Sequence, residues 1–181
     1  MQALLSARKR ISVWLLLCLG LTGCLGVPEG AAPVNGFELD RYLGSWYEIA
    51  RLDHSCERGL SKVTAEYSLR EDGGVRVVNR GYETAEGKWS EAEGKAYFVG
   101  EPSVGQLKVS FFGPFYGAYN VIELDKESYQ WSLVVGPDTD YLWILSRTPT
   151  MDKALVEQLL SRAEALGFNT QDIIFVDHDL Q

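Results

Sequence analysis

Residues 44–51, Gly-Ser-Trp-Tyr-Glu-Ile-Ala-Arg, open a series of short segments in which apolar and polar side chains alternate. The clearest alternation runs over 62–70, where the odd-numbered residues are apolar and the even-numbered ones are polar. A period of two predicts a β-strand that is buried on one face only. The Asp-Gly-Gly sequence at 72–74 then predicts a tight hairpin turn, because glycine adopts a positive φ without steric cost.

Eight such segments follow one another along the chain, separated by turn residues. We predict strands over 46–52, 62–70, 75–82, 88–99, 106–112, 118–124, 129–135 and 141–146. Antiparallel strands in this order form either a sandwich or a closed barrel, and closure removes the two exposed edges. We therefore predict an all-β fold, an eight-stranded up-and-down antiparallel β-barrel, which is wide enough for one small ligand.

The hydrophobic period changes after the last of these strands. Apolar residues between Leu155 and Leu166 recur at helical spacing, which predicts one amphipathic α-helix packed on the outside of the barrel. Thr148-Pro149 is a candidate start for this helix, and Gly167 is a candidate end. A short last strand is predicted over 172–176.

The N-terminal residues have the pattern of a processing signal rather than of a folded element. Basic residues at 8–10 precede an apolar run over 11–22, which is shorter than the roughly 20 residues that a membrane span needs. Leu21-Thr22-Gly23-Cys24 resembles the lipobox of bacterial lipoproteins, in which the cysteine is acylated; the alternative is an ordinary secretory signal with a chance cysteine. The predicted organisation is a signal peptide over 1–23, a lipidated flexible tether over 24–35 and a barrel domain over 36–181.

Charge and cysteine content narrow the function further. The segment 1–23 carries three basic and no acidic residues, so its removal changes the formal net charge from −8 to −11. A chain this acidic has no basic surface for nucleic acid or for anionic lipid headgroups, and membrane attachment must come from the acyl anchor. If Cys18 leaves with the signal and Cys24 is acylated, Cys56 is the one remaining thiol. It is then either inert or able to link two chains in a homodimer.

Three short motifs, in order along the chain, resemble those of the lipocalin family. Residues 44–47 match its Gly-x-Trp-Tyr block, residues 139–141 match its Thr-Asp-Tyr block, and Arg147 matches its single arginine. The resemblance implies a lipocalin calyx in which Trp46 plugs one end and Arg147 crosses its indole face. The motif residues to which it assigns a structural role are Gly44, Trp46, Tyr47, Asp140, Tyr141 and Arg147.

The residue that follows Cys24 also bears on location. It is Leu25 rather than aspartate. By resemblance to the sorting of bacterial lipoproteins, this implies a lipid anchor in the outer membrane with the barrel facing the periplasm.

The ligand-binding residues are predicted from the strand alternation to be those that face the barrel interior. The candidates are Val63, Ala65, Tyr67, Val75, Val77, Asn79, Tyr97, Val109, Phe111, Tyr119, Trp131 and Trp143. Their largely apolar and aromatic character favours an acyl chain, and the family resemblance implies fatty acids, lysophospholipids or similar amphiphiles. We expect no cofactor, no metal and no nucleic-acid partner. The alternative is that these side chains simply fill a solid core in a structural lipoprotein.

Two further segments carry chemistry of their own. The loop over 112–117 has three aromatic residues between glycines, which indicates contact with a membrane, a ligand or another protein, or aromatics folded back over the barrel. Cys56 with His54 suggests a nucleophile and its base, so an enzyme that acts on lipid is the rival hypothesis. We favour a binding protein that is not an enzyme, because no established hydrolase, phosphate-loop or metal motif is present.

Overall fold

The computed structural model describes residues 25–179, and the predicted Cys24 anchor lies outside this range. Its helices are α1 (Leu39–Tyr42) and α2 (Lys153–Ala165), with a 3₁₀ turn at Thr170–Asp172. Its strands are β1 (Gly44–Arg51), β2 (Leu60–Leu69), β3 (Val75–Glu83), β4 (Lys88–Phe98), β5 (Gln106–Ser110), β6 (Gly117–Leu124), β7 (Trp131–Val135), β8 (Leu142–Ser146) and β9 (Ile174–Phe175). No helix among the described residues is long and apolar enough to cross a membrane.

The first eight strands form a closed antiparallel barrel. Each strand pairs with the next along the chain, and β1 pairs with both β2 and β8, which leaves no free edge between them. The short β9 adds to β1 on the outside through Ala50 and Arg51. The predicted fold class is therefore confirmed, including the single C-terminal helix and the last short strand.

Alternate connections of the barrel lie at opposite ends. The connections over 52–59, 84–87, 111–116 and 136–141 lie together at one end, which we call the rim. The turns over 70–74, 99–105 and 125–130 lie at the other end, which we call the closed end. Helix α1 covers the closed end, where Arg41 donates hydrogen bonds to the carbonyls of Lys126 and Glu127 at 3.2 and 2.6 Å.

A β-bulge in β1 changes which side chains face inward. The pairing with β8 shifts between Glu48 and Ala50, so that Ile49 is the extra residue. Before the bulge, Trp46 and Glu48 face the interior. After it, Ile49 and Ala50 pack on the outer side, and Arg51 pairs with an interior-facing residue of β8.

Two apolar clusters result from this geometry. One lies inside the barrel, and the second lies between the barrel wall and α2, where Val156, Leu159 and Ala163 of the helix are buried. The helix begins after Asp152, whose carboxylate accepts from the amide of Leu155 at 3.1 Å. The predicted start at Thr148-Pro149 is thus four residues early, because the aspartate caps more effectively than the threonine, whose hydroxyl donates to the carbonyl of Thr150 instead.

Residues 25–35, which the sequence predicts to be a tether, make several contacts with the barrel. The carbonyl of Gly26 accepts from Nδ2 of Asn120 at 3.0 Å, and the amide of Val34 donates to the carbonyl of Val121 at 2.8 Å. Asn35 also forms an isolated β-bridge with Val104. These contacts satisfy backbone groups along the barrel wall, so this segment is packed against the barrel.

Candidate ligand site in the barrel

The closed end is sealed by a stacked arginine and tryptophan. Trp46 is fully buried, and its indole N–H donates to the carbonyl of Tyr42 at 2.8 Å. The guanidinium carbon of Arg147 lies 3.9 Å from the centroid of the Trp46 ring. Arg147 also donates to the carbonyls of Tyr129, Ser45 and Arg41 at 3.2, 2.9 and 2.8 Å. The Arg147 guanidinium therefore links three backbone segments across the closed end of the barrel interior, which we call the floor.

The first residue of β1 makes this stacking possible. Gly44 has a φ of +94°, and a Cβ built there would lie 3.4 Å from Nη1 of Arg147. A side chain at this position would therefore be strained in its backbone and would crowd the guanidinium. The other motif residues lie apart from the floor. Tyr47 meets His178 edge to face, and Tyr141 stacks on Trp143 near the rim.

A hydroxyl network spans the interior above this floor. The Tyr119 hydroxyl lies 2.8 Å from that of Tyr42 and 2.9 Å from that of Tyr67, and the Tyr42 hydroxyl lies 3.0 Å from Oγ of Ser132. Burial raises the pKa of Tyr42 to about 12 and raises the pKa values of Tyr67 and Tyr119 well above their usual range. The network is therefore neutral, and it offers a polar patch within an apolar space.

Most of the predicted lining residues do face the interior. The members of the interior cluster among them are Ala65, Tyr67, Val75, Val77, Val109, Phe111, Tyr119 and Trp143. Asn79 lies opposite Ala65 in the pairing of β2 with β3, and its side-chain oxygen is buried without a hydrogen-bond partner. Val63 is buried beside the irregular pairing in β2 but belongs to neither cluster.

Tyr97 and Trp131 were predicted to face inward, and both predictions are wrong. Ala96 and Phe98 occupy the interior face of β4, and the Tyr97 hydroxyl donates to a carboxylate oxygen of Asp72 on the outside at 2.8 Å. Trp131 packs in the cluster beneath α2, because Ser132 faces inward and bonds the tyrosine network. A shift of one residue in strand phase exchanges the two faces. Ala96 and Phe98 beside Tyr97 are apolar and fit the interior equally well, whereas beside Trp131 the polar Ser132 takes the interior position.

Both apolar clusters have a fully buried centre, at Trp46, Val121 and Val134 inside the barrel and at Leu133 and Ile144 beneath α2. Inside the barrel, several apolar side chains keep part of their surface accessible, although they point away from the outer wall. They are Ala65, Val109, Phe111, Tyr119 and Trp143. These inward-facing side chains therefore keep accessible apolar surface that a close-packed core would bury.

A buried ion pair lies inside the barrel, at the end near the rim. Nη1 of Arg51 lies 2.7 Å from Oε1 of Glu48, and both residues are almost completely buried. Nη2 of Arg51 donates to the carbonyls of Glu57 and Leu60 at 2.8 and 3.2 Å. Burial, with the nearby charge of Glu57, raises the pKa of Glu48 well above its usual value, while Arg51 opposes that shift. These contacts hold the connection over 52–59 at the rim end of the barrel interior, which we call the mouth.

Glu57 forms the second attachment of this connection. Its Oε2 accepts from Nε1 of Trp143 at 3.0 Å and lies 2.8 Å from Nε2 of His54. The His54 ring in turn packs edge to face on Trp143. Burial alone would raise the pKa of Glu57, but the contacts with His54 and Trp143 lower it below its usual value. We call the segment 52–59 the mouth loop.

The interior charges were missed by the sequence prediction. In strict alternation Glu48 shares a face with Trp46, whereas Arg51 shares the other face with Tyr47. Neither face is therefore marked as polar, and single charged residues are usually assigned to solvent. The signal that could have found them is the bulge, which a single sequence does not reveal. Tyr42 was missed because the short helix α1 has no recognisable pattern.

Two surface clefts flank the mouth loop. One, of about 410 Å³, lies between that loop, Tyr141 and the 3₁₀ turn, and it includes His54. The other, of about 270 Å³, includes the exposed Cys56, Arg58 and Glu86. Cys56 and His54 thus line different clefts, and Nε2 of His54 lies against Glu57. Within residues 25–179, no group of three or more metal-ligating side chains comes together.

Comparison with known proteins agrees with this architecture. The model of the lipocalin-like domain matches residues 37–178. The chain is a lipocalin. Insecticyanin from the tobacco hornworm, Manduca sexta, has the same fold, with a TM-score of 0.67 over 84% of this chain and 86% of its own, at 21% identity.

Bacterial relatives of this lipocalin are much more similar in sequence. The outer membrane lipoprotein Blc of Vibrio cholerae is 57% identical over 166 residues, which cover 91% of this chain and 97% of the relative. The outer membrane lipoprotein Blc of Escherichia coli K12 is 58% identical over 149 residues, covering 82% and 84% respectively. The similarity extends over nearly the whole chain.

Proposed function

We propose that this lipocalin binds one small amphiphilic lipid, a fatty acid or lysophospholipid, inside its barrel, and that it stores or carries that lipid in the cell envelope. The observation that carries the proposal is the partial accessibility of apolar side chains that point into the barrel. An acyl chain would cover that accessible apolar surface. Burial of apolar surface contributes about 25 cal/mol per Å² before the costs of binding are subtracted.

The polar groups of the interior would orient the lipid. The Asn79 side-chain oxygen is buried without a donor, and a hydroxyl or amine of the ligand could supply one. The ion pair of Arg51 and Glu48 lies nearer the mouth, where a headgroup would remain after the chain has entered. An amphiphile therefore fits better than a purely apolar ligand, which would leave the buried Asn79 oxygen without a donor.

We also infer the location from the relatives. Both Blc proteins are named outer membrane lipoproteins, and this chain has the lipobox-like Leu21-Thr22-Gly23-Cys24 in front of the barrel. We propose acylation of Cys24, an anchor in the outer membrane and a barrel that faces the periplasm. Mass spectrometry of the protein purified from bacterial membranes tests the anchor: the N-terminal peptide should begin at Cys24 and carry acyl groups.

A binding role is favoured over the rival enzymatic role. The thiol of Cys56 is exposed, and the only histidine of the same loop packs on Trp143 in the other cleft. A Cys56→Ser variant should therefore bind lipid like the wild type. Loss of a lipid-modifying activity in that variant would instead support the enzyme.

The experiment that tests the binding site compares two tryptophan substitutions on β2. Ala65 faces the interior, whereas Ser68 of the same strand faces outward opposite Arg76. We expect Ala65→Trp to fill the space and weaken binding of a fluorescent fatty acid at least about tenfold, which corresponds to 1.4 kcal/mol. Ser68→Trp should bind like the wild type.

The same pair separates an open interior from a filled one. If the interior is open, Ala65→Trp should change the free energy of unfolding by less than about 1 kcal/mol. A filled core would be overpacked, and the variant would lose about 1–3 kcal/mol. No saturable binding by the wild type, together with that loss, would refute the proposed function.

A further inference from the structure

The rim carries an exposed aromatic surface without charge. Residues 111–116, Phe-Phe-Gly-Pro-Phe-Tyr, form the connection between β5 and β6 and contain no charged side chain in a chain of net charge −8. Phe112 and Phe115 are 78% and 68% exposed, the two highest values among the large apolar residues of the described chain. Exposed apolar clusters of this kind usually mark a contact with a membrane or another protein.

The packed N-terminal segment begins at the same end of the barrel. Gly26 is held by Asn120, three residues from the rim end of β6, and its Cβ position would lie 3.2 Å from the carbonyl of Pro137 in a rim connection. Its neighbour Leu25 is bonded directly to Cys24. Consecutive Cα atoms are about 3.8 Å apart, so an acyl group on Cys24 would enter the membrane beside the rim.

We propose that the rim of this barrel docks on the membrane that holds the Cys24 anchor, with Phe112 and Phe115 inserted into the lipid interface and the mouth facing the bilayer. This inference rests on the proposed acylation of Cys24, and it adds an orientation. A long flexible tether would allow any orientation, but the hydrogen bonds of Gly26 and Val34 to the barrel restrict that freedom.

The chemistry of the rim identifies the contact as apolar. Asp138 and Asp140 of the neighbouring rim connection are exposed and would be repelled by anionic headgroups. Aromatic side chains, in contrast, are favoured at the boundary between headgroups and acyl chains. Several acyl chains on Cys24 provide the affinity, and the two phenylalanines set the orientation. A lipid leaving the bilayer would then reach the barrel without crossing water.

The test measures which end of the barrel is close to lipid. The mature lipoprotein is purified from bacterial membranes and reconstituted in vesicles of phosphatidylethanolamine and phosphatidylglycerol that contain a spin-labelled lipid. In a Cys56→Ser background, a fluorophore is attached to Thr139→Cys at the rim or to Lys126→Cys at the closed end; both positions are exposed. We expect the spin label to quench the fluorophore at the rim and to leave the one at the closed end unquenched.

Two double substitutions complete the test. Phe112→Ser with Phe115→Ser should reduce the quenching at the rim, because the rim is then held near the bilayer by the anchor alone. Leu69→Ser with Val99→Ser removes exposed apolar residues at the closed end and should leave the quenching at both positions unchanged. Equal quenching at both ends in the acylated wild type would overturn the docking. So would rim quenching that the phenylalanine substitutions leave unchanged.

Other outcomes identify which proposal fails. If the purified protein carries no acyl group, both the anchor and this docking are overturned, whereas fatty-acid binding by the same preparation still tests the barrel site. If the phenylalanine substitutions convert a dimer to a monomer in sedimentation and leave the quenching unchanged, the aromatic loop is a contact between two copies. That result would also overturn membrane docking.

Discussion

Entry of a lipid into this barrel should be governed by the hydrogen bond between Trp143 and Glu57. Trp143 is on β8 and faces the interior, and its indole N–H is bonded to the carboxylate that holds the mouth loop. Trp143→Phe removes that donor and keeps an aromatic ring in place. Glu57 keeps its contact with His54, so the loop is weakened and not released.

The expected magnitude follows from the type of bond. A hydrogen bond to a charged group contributes about 1.5–3 kcal/mol, and the lower end applies because Glu57 retains a second partner. A loss of about 1.5 kcal/mol shifts the equilibrium between the held and open loop about tenfold. If loop opening limits entry, a fluorescent fatty acid should associate about ten times faster in stopped-flow mixing. Backbone amides of the mouth loop should exchange with solvent faster by a similar factor.

Trp131→Phe is the matched control, because Trp131 packs beneath α2 on the other face of the barrel wall. It should leave both the association rate and the exchange of the mouth loop unchanged. Equal acceleration by the two substitutions would refute the reasoning, since it would mean that general loosening opens the barrel. An unchanged association rate in Trp143→Phe, with faster exchange of the loop, would show that the lipid enters by another route.

Three further predictions concern the floor, the mouth loop and the interior. Arg147→Met should lower the free energy of unfolding by about 2–4 kcal/mol in urea titration, since it removes three hydrogen bonds and the stacking on Trp46. The control is Arg80→Met, which removes a half-exposed cation over the ring of Trp89 on the outer wall. It should lower the free energy of unfolding by less than about 1 kcal/mol. The contacts that lower the pKa of Glu57 below its ordinary value of 4.5 stabilise the held loop at pH values above 4.5, and this stabilisation is lost as the pH falls through the lowered pKa. Exchange of the mouth-loop amides with solvent should therefore become faster in acid. A Glu57→Gln variant should show no such pH dependence. Asn79→Val removes a buried oxygen that has no hydrogen-bond partner, so the free energy of unfolding should be unchanged or higher. If a ligand hydroxyl donates to this oxygen, the substitution should weaken binding of a lysophospholipid more than binding of a fatty acid.

The barrel and its floor could be predicted from local sequence signals. Alternation with a period of two persists through short segments, and turn residues separate them, so the number and order of strands follow from the chain alone. The floor could be predicted because Gly44, Trp46 and Arg147 occur in motifs that resemble those of a known family. The helix was predictable from its period, although its first residue was not.

Which side chains of a strand point into the barrel could be predicted only in part. Alternation shows which residues of a strand share a face, but it does not show which face is inside when both carry apolar residues. That is why Tyr97 and Trp131 were placed wrongly. Neighbouring strands decide the matter, since Ser132 must face the tyrosine hydroxyls within the barrel.

Position, type and order of the strands were thus determined by the sequence itself, because they depend on contacts between residues that are close along the chain. Only the tertiary structure decided that Glu48 and Arg51 are buried near the mouth, since a bulge in β1 rotates one residue into the interior. Only it decided that residues 26–35 lie along the wall and bring the residue after Cys24 to the rim. These features depend on which backbone groups from distant segments satisfy one another, and a single sequence does not record those partners.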